Sequence, residues 1–123
     1  MKWYLKVLKQ YADFKGRAQR IEFWMFSLFY TLILSLLIFL VSNSPSSSGD
    51  TIRSTLFFLC ILIHIIPSIA VTVRRLHDIG MNGWMILIGL IPIIGSIWLF
   101  VLMVTDSNPG ENEYGPNPKE VTV

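Results

Sequence analysis

Three stretches of the chain run for about twenty residues each without a charged side chain: Phe23–Ser42, Ser54–Val73 and Trp84–Thr105. As α-helices rising about 1.5 Å per residue, each would reach roughly 30 Å, the thickness of the hydrocarbon core of a bilayer. A soluble fold can bury one such helix. Three of them in 123 residues leave no amphipathic layer to cover the rest. The pattern predicts an all-α fold, an integral membrane bundle of about three transmembrane helices. The first run is too long for the core of a signal peptide and no convincing small-x-small cleavage site follows it, so it reads as a retained span.

The polar segments divide the chain into a basic N-terminal segment (1–22), a membrane domain (23–105) and a turn-rich acidic tail (106–123). Near the N-terminus Lys2, Lys6, Lys9 and Asp13 recur at helical spacing on one face, while Tyr4, Val7, Leu8, Tyr11 and Phe14 lie opposite. Lysines on one side and aromatics on the other predict an amphipathic helix at the membrane–water boundary. The competing expectation is a helix packed on the rest of the protein. Asn43–Arg53, rich in serine, reads as a plain loop. Arg74–Trp84 is the strongly polar connection between the second and third runs, with a turn at Gly80 and Asn82-Gly83. The tail, dominated by Pro, Gly and Asn, reads as successive turns.

Charge bears on threading more than on partners. A net charge of +2 with 15% charged residues carries no basic stripe suited to nucleic acid. The N-terminal 22 residues hold six lysines and arginines, and Arg74 and Arg75 bring the count on that side to eight; Arg53 and Lys119 make two on the other. The positive-inside rule then predicts a cytoplasmic N-terminus and a C-terminus outside. A third span broken at Pro92 and Gly95 would move the tail, although its 22 residues are too few for two full crossings.

Arg17, Arg20 and Glu22 are expected at the same depth as Arg74, Arg75, His77 and Asp78. Local bridges from Arg74 and Arg75 to Asp78 are within helical reach. The surplus of guanidinium groups suits phosphate, so this layer is the candidate site for anionic lipid headgroups, a membrane-protein partner or another copy of the chain. His64 is the intramembrane polar residue, expensive at that depth and a candidate for a transport path through an oligomer. His77 and Asp78 lack a nucleophile in reach, and no phosphate loop, catalytic triad or metal-ligand spacing is discernible. No cofactor and no metal are expected, and a non-enzymatic role is favoured. Cys60, the single cysteine, lies inside an apolar run.

These same residues carry a resemblance. Phe14-Lys-Gly-Arg17-Ala-Gln-Arg20-Ile-Glu22-Phe-Trp24, then Arg74-Arg75-Leu76-His77-Asp78, Gly83-Trp84, Pro92 with Gly95, and Gly110-Glu-Asn112-Glu-Tyr114-Gly115-Pro-Asn-Pro118 together resemble the bacterial inner-membrane family catalogued as domain of unknown function 805. The likeness runs in order along nearly the whole chain. It implies a small inner-membrane protein with no assigned biochemical role and no catalytic residues to carry over.

Overall fold

The structure, a computed structural model, describes residues 1–43 and 47–121. Its elements are α1 (Lys2–Lys9), α2 (Arg20–Ser42), α3 (Ser47–Asp78), a 3₁₀ helix (Gly83–Leu90), α4 (Ile94–Val104) and a terminal turn of helix, α5 (Pro118–Val121). Among the described residues there is no strand, only an isolated bridge between Asn112 and Gly115 in the tail. The all-α expectation holds.

Among the described residues two helices are long and apolar enough to cross a membrane, α2 and the Asp50–Asp78 part of α3. α2 begins where Gln19 leaves the extended region, carries Glu22 in its first turn to complement the helix dipole, and ends at Asn43, whose Nδ2 donates to Phe39 O at 2.8 Å. α3 starts earlier than the serine-rich composition suggests. Asp50 to Arg53 are helical rather than loop, with Asp50 in the first turn; residues 44–46 of the predicted loop lie outside the described residues. The helix accommodates Pro67 and ends as predicted near Gly80 (φ 79°), where Gly80 N donates to His77 O and Met81 N to Leu76 O.

The third apolar run departs from expectation. It is no continuous span but a 3₁₀ helix and the 11-residue α4, joined by a reversal at Ile91–Ile93 with Ile93 in the left-handed region (φ 65°). Pro92 lacks an amide hydrogen, which favours a break here. Gly95 lets the two limbs close, since a Cβ there would strike the carbonyl oxygen of Ile88. Both feet of this hairpin stand beside the C-terminal end of α3: Gly83 lies against Val73 and His77, and Leu102 and Met103 pack with Leu76.

α1 packs its aromatic face inward. Tyr4 and Val7 join Ala18, Phe26 and Val71 in one core cluster, and Leu76, Leu102 and Met103 form a second. Both clusters gather at the arginine end of α2 and α3. Toward the other end the helices turn apolar side chains outward, with Leu36 58%, Phe58 63% and Ile63 64% exposed. An apolar surface on that scale has hydrocarbon as its natural solvent.

Candidate functional site

The charged layer forms where the start of α2 meets the end of α3. Glu22, Arg74, Arg75 and Asp78 are all at most 2% exposed, and Arg17 is 8% exposed. Asp78 accepts from Arg17 Nε at 3.0 Å through Oδ1, and from Arg75 Nη1 at 2.6 Å and the Ser107 hydroxyl through Oδ2. Glu22 accepts from Arg74 Nη1 at 2.7 Å and is paired with Lys6 Nζ at 3.3 Å. Arg74 Nη1 also donates to Gln10 Oε1 at 2.8 Å, while its Nε and Nη2 have no partner among the described residues.

Arg17 is satisfied at every donor. Its Nε goes to Asp78 Oδ1, its Nη1 to the carbonyls of Gly110 (2.9 Å) and Gly115 (3.2 Å), and its Nη2 to those of Asn108 (2.7 Å) and Asp78 (3.1 Å). A guanidinium has five N–H groups, and these are five acceptors. Arg75 likewise donates to the carbonyls of Met103 and Thr105, Arg20 to that of Val104 at 3.1 Å, and Gln19 Nε2 to that of Pro118 at 3.0 Å. The tail is thereby held on the same end of the molecule as the N-terminal segment. This corrects the expectation that tail and arginines lie on opposite sides. Because the third apolar run doubles back, the chain re-emerges beside the residues it left.

Burial also corrects how the site presents itself. Of the four arginines expected to face headgroups, Arg17, Arg74 and Arg75 are enclosed; only Arg20 is substantially exposed, and it bridges Asp106 at 3.5 Å. Asp106 is held below its ordinary range, first by the Lys119 hydrogen bond and next by that of the Ser107 amide. The Tyr114 phenol is raised, by desolvation first and then by its hydrogen bond with Glu113.

His77 and Asp78 do not engage each other. His77 Nδ1 lies 3.0 Å from Gly16 O, and its ring stacks on Tyr114 at 3.9 Å between centroids and 2° between planes. Its backbone carbonyl accepts from Asn112 Nδ2 at 2.9 Å.

His64 stands apart from the layer and is satisfied. Its Nδ1 is 2.8 Å from Cys60 O, an acceptor only, so that nitrogen carries the proton and Nε2 accepts from the Tyr4 hydroxyl at 2.7 Å. Tyr30 stacks on the ring at 4.4 Å. With both nitrogens engaged and only 6% exposed, His64 joins α1 to α3.

The sequence reading missed Tyr4, Gln10, Ser107 and Asn108 as members of these networks. For Tyr4 the available signal was its place on the aromatic face of α1. For the tail there was none beyond its proximity in kind, acidic residues with arginines, and most of the contacts are made by backbone carbonyls instead.

Two apolar helices of spanning length, an outward-facing apolar surface and a polar layer buried at one end define a small α-helical integral membrane protein. The chain matches, over residues 11–116, the family described as protein of unknown function (DUF805), and it belongs to that family. It is 40% identical over 122 residues to inner membrane protein YhaH of Escherichia coli K12, covering 97% of this chain and 98% of the relative. It is 36% identical over 119 residues to inner membrane protein YhaI of the same strain, covering 97% of each, and 30% identical over 134 residues to the uncharacterized protein YiiR, covering 89% and 88%. No solved structure matches the chain.

Proposed function

We propose that this is a non-enzymatic component of the bacterial inner membrane with both termini in the cytoplasm, whose basic rim holds anionic lipid headgroups or an acidic face of a membrane partner. The observation that carries the reading is the seating of three tail carbonyls on Arg17, which ties the C-terminal segment to the N-terminal face. In this arrangement α2 and α3 cross the bilayer, and the hairpin of the 3₁₀ helix and α4 enters from the cytoplasmic side and returns. Its limbs are about 16 Å long each, near half the hydrocarbon thickness. Lys119 then joins the inner face, so nine of the ten lysines and arginines stand there and Arg53 alone stands opposite. That asymmetry favours this threading more strongly than an eight-to-two division.

α3, at roughly 48 Å, is longer than the core it crosses, leaving its arginine end clear of the hydrocarbon for α1 and the tail to pack against. The buried acids Glu22 and Asp78 are engaged by arginines, whereas Lys2, Lys9 and Lys15 remain exposed on the N-terminal segment. Those lysines are the groups free to meet anionic headgroups, each contributing about 1 kcal/mol near a charged leaflet.

Fusing alkaline phosphatase or a fluorescent protein to the C-terminus tests the threading: fluorescence without phosphatase activity is expected, and an active phosphatase overturns it. Replacing Lys2, Lys9 and Lys15 with glutamine should abolish a preference for phosphatidylglycerol over phosphatidylcholine in lipid retained by the purified protein. An unchanged preference removes the basic-rim reading.

A further inference from the structure

The foot of the hairpin, the end of α3 and the N-terminal segment border a half-open cavity of about 410 Å³, within the range of small-molecule sites. Its long wall is one face of α3, where Ile69, Val73 and His77 follow at steps of four, about 12 Å along the helix. Phe14, Asn82 and Trp84 complete the polar end and the rim. The apolar end is continuous with exposed surface, since Ile69 is 39% and Trp84 75% exposed.

The polar end has an unfilled requirement. His77 is 7% exposed, and its Nδ1 is committed as a donor to Gly16 O. In the uncharged ring Nε2 is therefore a lone pair, and it has no partner among the described residues. His77 and Gly83 both line the cavity, and a Cβ on that glycine would stand 3.4 Å from Nε2 and 2.8 Å from Val73 Cγ1. Glycine keeps the approach to the imidazole open. Beside it, Asn82 Oδ1 accepts from Trp84 N at 3.0 Å as the cap of the 3₁₀ helix, which leaves the Asn82 Nδ2 as a donor at the same rim.

We infer that this cavity binds a glycerophospholipid whose headgroup carries a hydrogen-bond donor, with the donor on His77 Nε2, a phosphate oxygen on Asn82 Nδ2, and the start of an acyl chain along Val73 and Ile69. An acceptor and a donor a short distance apart, at the top of an apolar wall open to the membrane, match the order of groups along such a lipid. Phosphatidylethanolamine satisfies both groups. Phosphatidylcholine has the same phosphate and chains but no N–H or O–H in its headgroup. The site is distinct from the basic rim, and comparing these two lipids, each of zero net charge, leaves the charge reading aside.

The test is native mass spectrometry of the full chain in detergent with phosphatidylethanolamine, phosphatidylcholine or phosphatidylglycerol of identical acyl chains. At least a tenfold preference for phosphatidylethanolamine over phosphatidylcholine is expected. It should fall to parity in His77→Asn, which keeps a donor for Gly16 and takes away the acceptor at the Nε2 position, the amide oxygen sitting on a shorter side chain. Gly83→Ala, which retains His77 and sets a methyl group before Nε2, should do the same and decides the matter if His77→Asn fails to fold. Retention of phosphatidylglycerol equal to that of phosphatidylethanolamine assigns the donor broadly, to hydroxyl as well as amine; weaker retention assigns it to the amine. Equal binding of phosphatidylethanolamine and phosphatidylcholine by the parent, or a preference that survives in the folded variants, overturns the inference.

Discussion

Arg17→Lys separates a buried clamp from a mere positive charge. Lysine keeps the charge, so any role confined to topology or headgroup attraction is preserved. It cannot keep the geometry. Arg17 fills five acceptors, three of them tail carbonyls, and an ammonium has three donors at most. At least two charge-assisted bonds are lost, each contributing about 1.5–3 kcal/mol. The Gly110, Gly115 and Asn108 bonds are only part-buried, so water can replace some of what is lost. The lower end of the range, about 3 kcal/mol, is then the expected cost of tail docking. The Asn108 amide, bonded to Asp78 O at 2.9 Å, reports on that docking. Its hydrogen-exchange protection should fall by about two orders of magnitude, while the amides in the middle of α2 are unaffected. Arg20→Lys, at a half-exposed guanidinium, is the control and should change little. If Arg17→Lys leaves the Asn108 amide as protected as in the parent, the five-acceptor account of this residue is wrong.

Two further substitutions probe the rest of the fold. Gly95→Ala drives a Cβ into the backbone oxygen of Ile88 and should destabilise the protein by about 1–3 kcal/mol or prevent folding, whereas Gly89→Ala meets only the movable Leu99 Cδ1 and should be milder; thermal melts in detergent compare them. Tyr4→Phe leaves His64 Nε2 without its donor and should cost about 1 kcal/mol in the same assay, a loss that Tyr4→Phe with His64→Phe together should partly recover.

The parts of this architecture legible in the sequence are those with a one-dimensional signature. Uncharged windows mark α2 and the body of α3, and the Gly80 turn shows as a break in apolarity. The guanidinium–carboxylate layer is foreshadowed by Arg17, Glu22, Arg74, Arg75 and Asp78 lying at the ends of those windows. Hydropathy averaging cannot tell one helix of 22 residues from a hairpin of two shorter ones, because both are uniformly apolar; the difference lies in Pro92, the φ of Ile93 and the fit of Gly95 against Ile88. Tyr4 to His64 is a separation of 60 residues, and nothing local to either residue announces the other. The tail contacts are hidden for another reason. Every residue has a carbonyl, so the use of Asn108, Gly110 and Gly115 as acceptors leaves no mark in side-chain chemistry.

The return of the hairpin follows from counting charges and donors. Three buried guanidinium groups, of Arg17, Arg74 and Arg75, meet only two buried carboxylates, of Glu22 and Asp78. A buried guanidinium left with open donors is unfavourable, a cost that Arg74 bears at Nε and Nη2, and among the described residues no further buried acid is present in the layer to accept from Arg17 or Arg75. For Arg17 and Arg75 neutral acceptors supply the remainder, and backbone carbonyls outside regular helices are the ones with lone pairs free. Those are found at the C-terminal end of α4 (Met103, Thr105) and in the turns of the tail (Asn108, Gly110, Gly115). A third full crossing would carry all of them about 30 Å away, to the far side of the bilayer. The composition of the tail, rich in the glycine, proline and asparagine that keep carbonyls out of helices, is therefore part of the arginine layer. The reversal at Pro92 is what delivers it there.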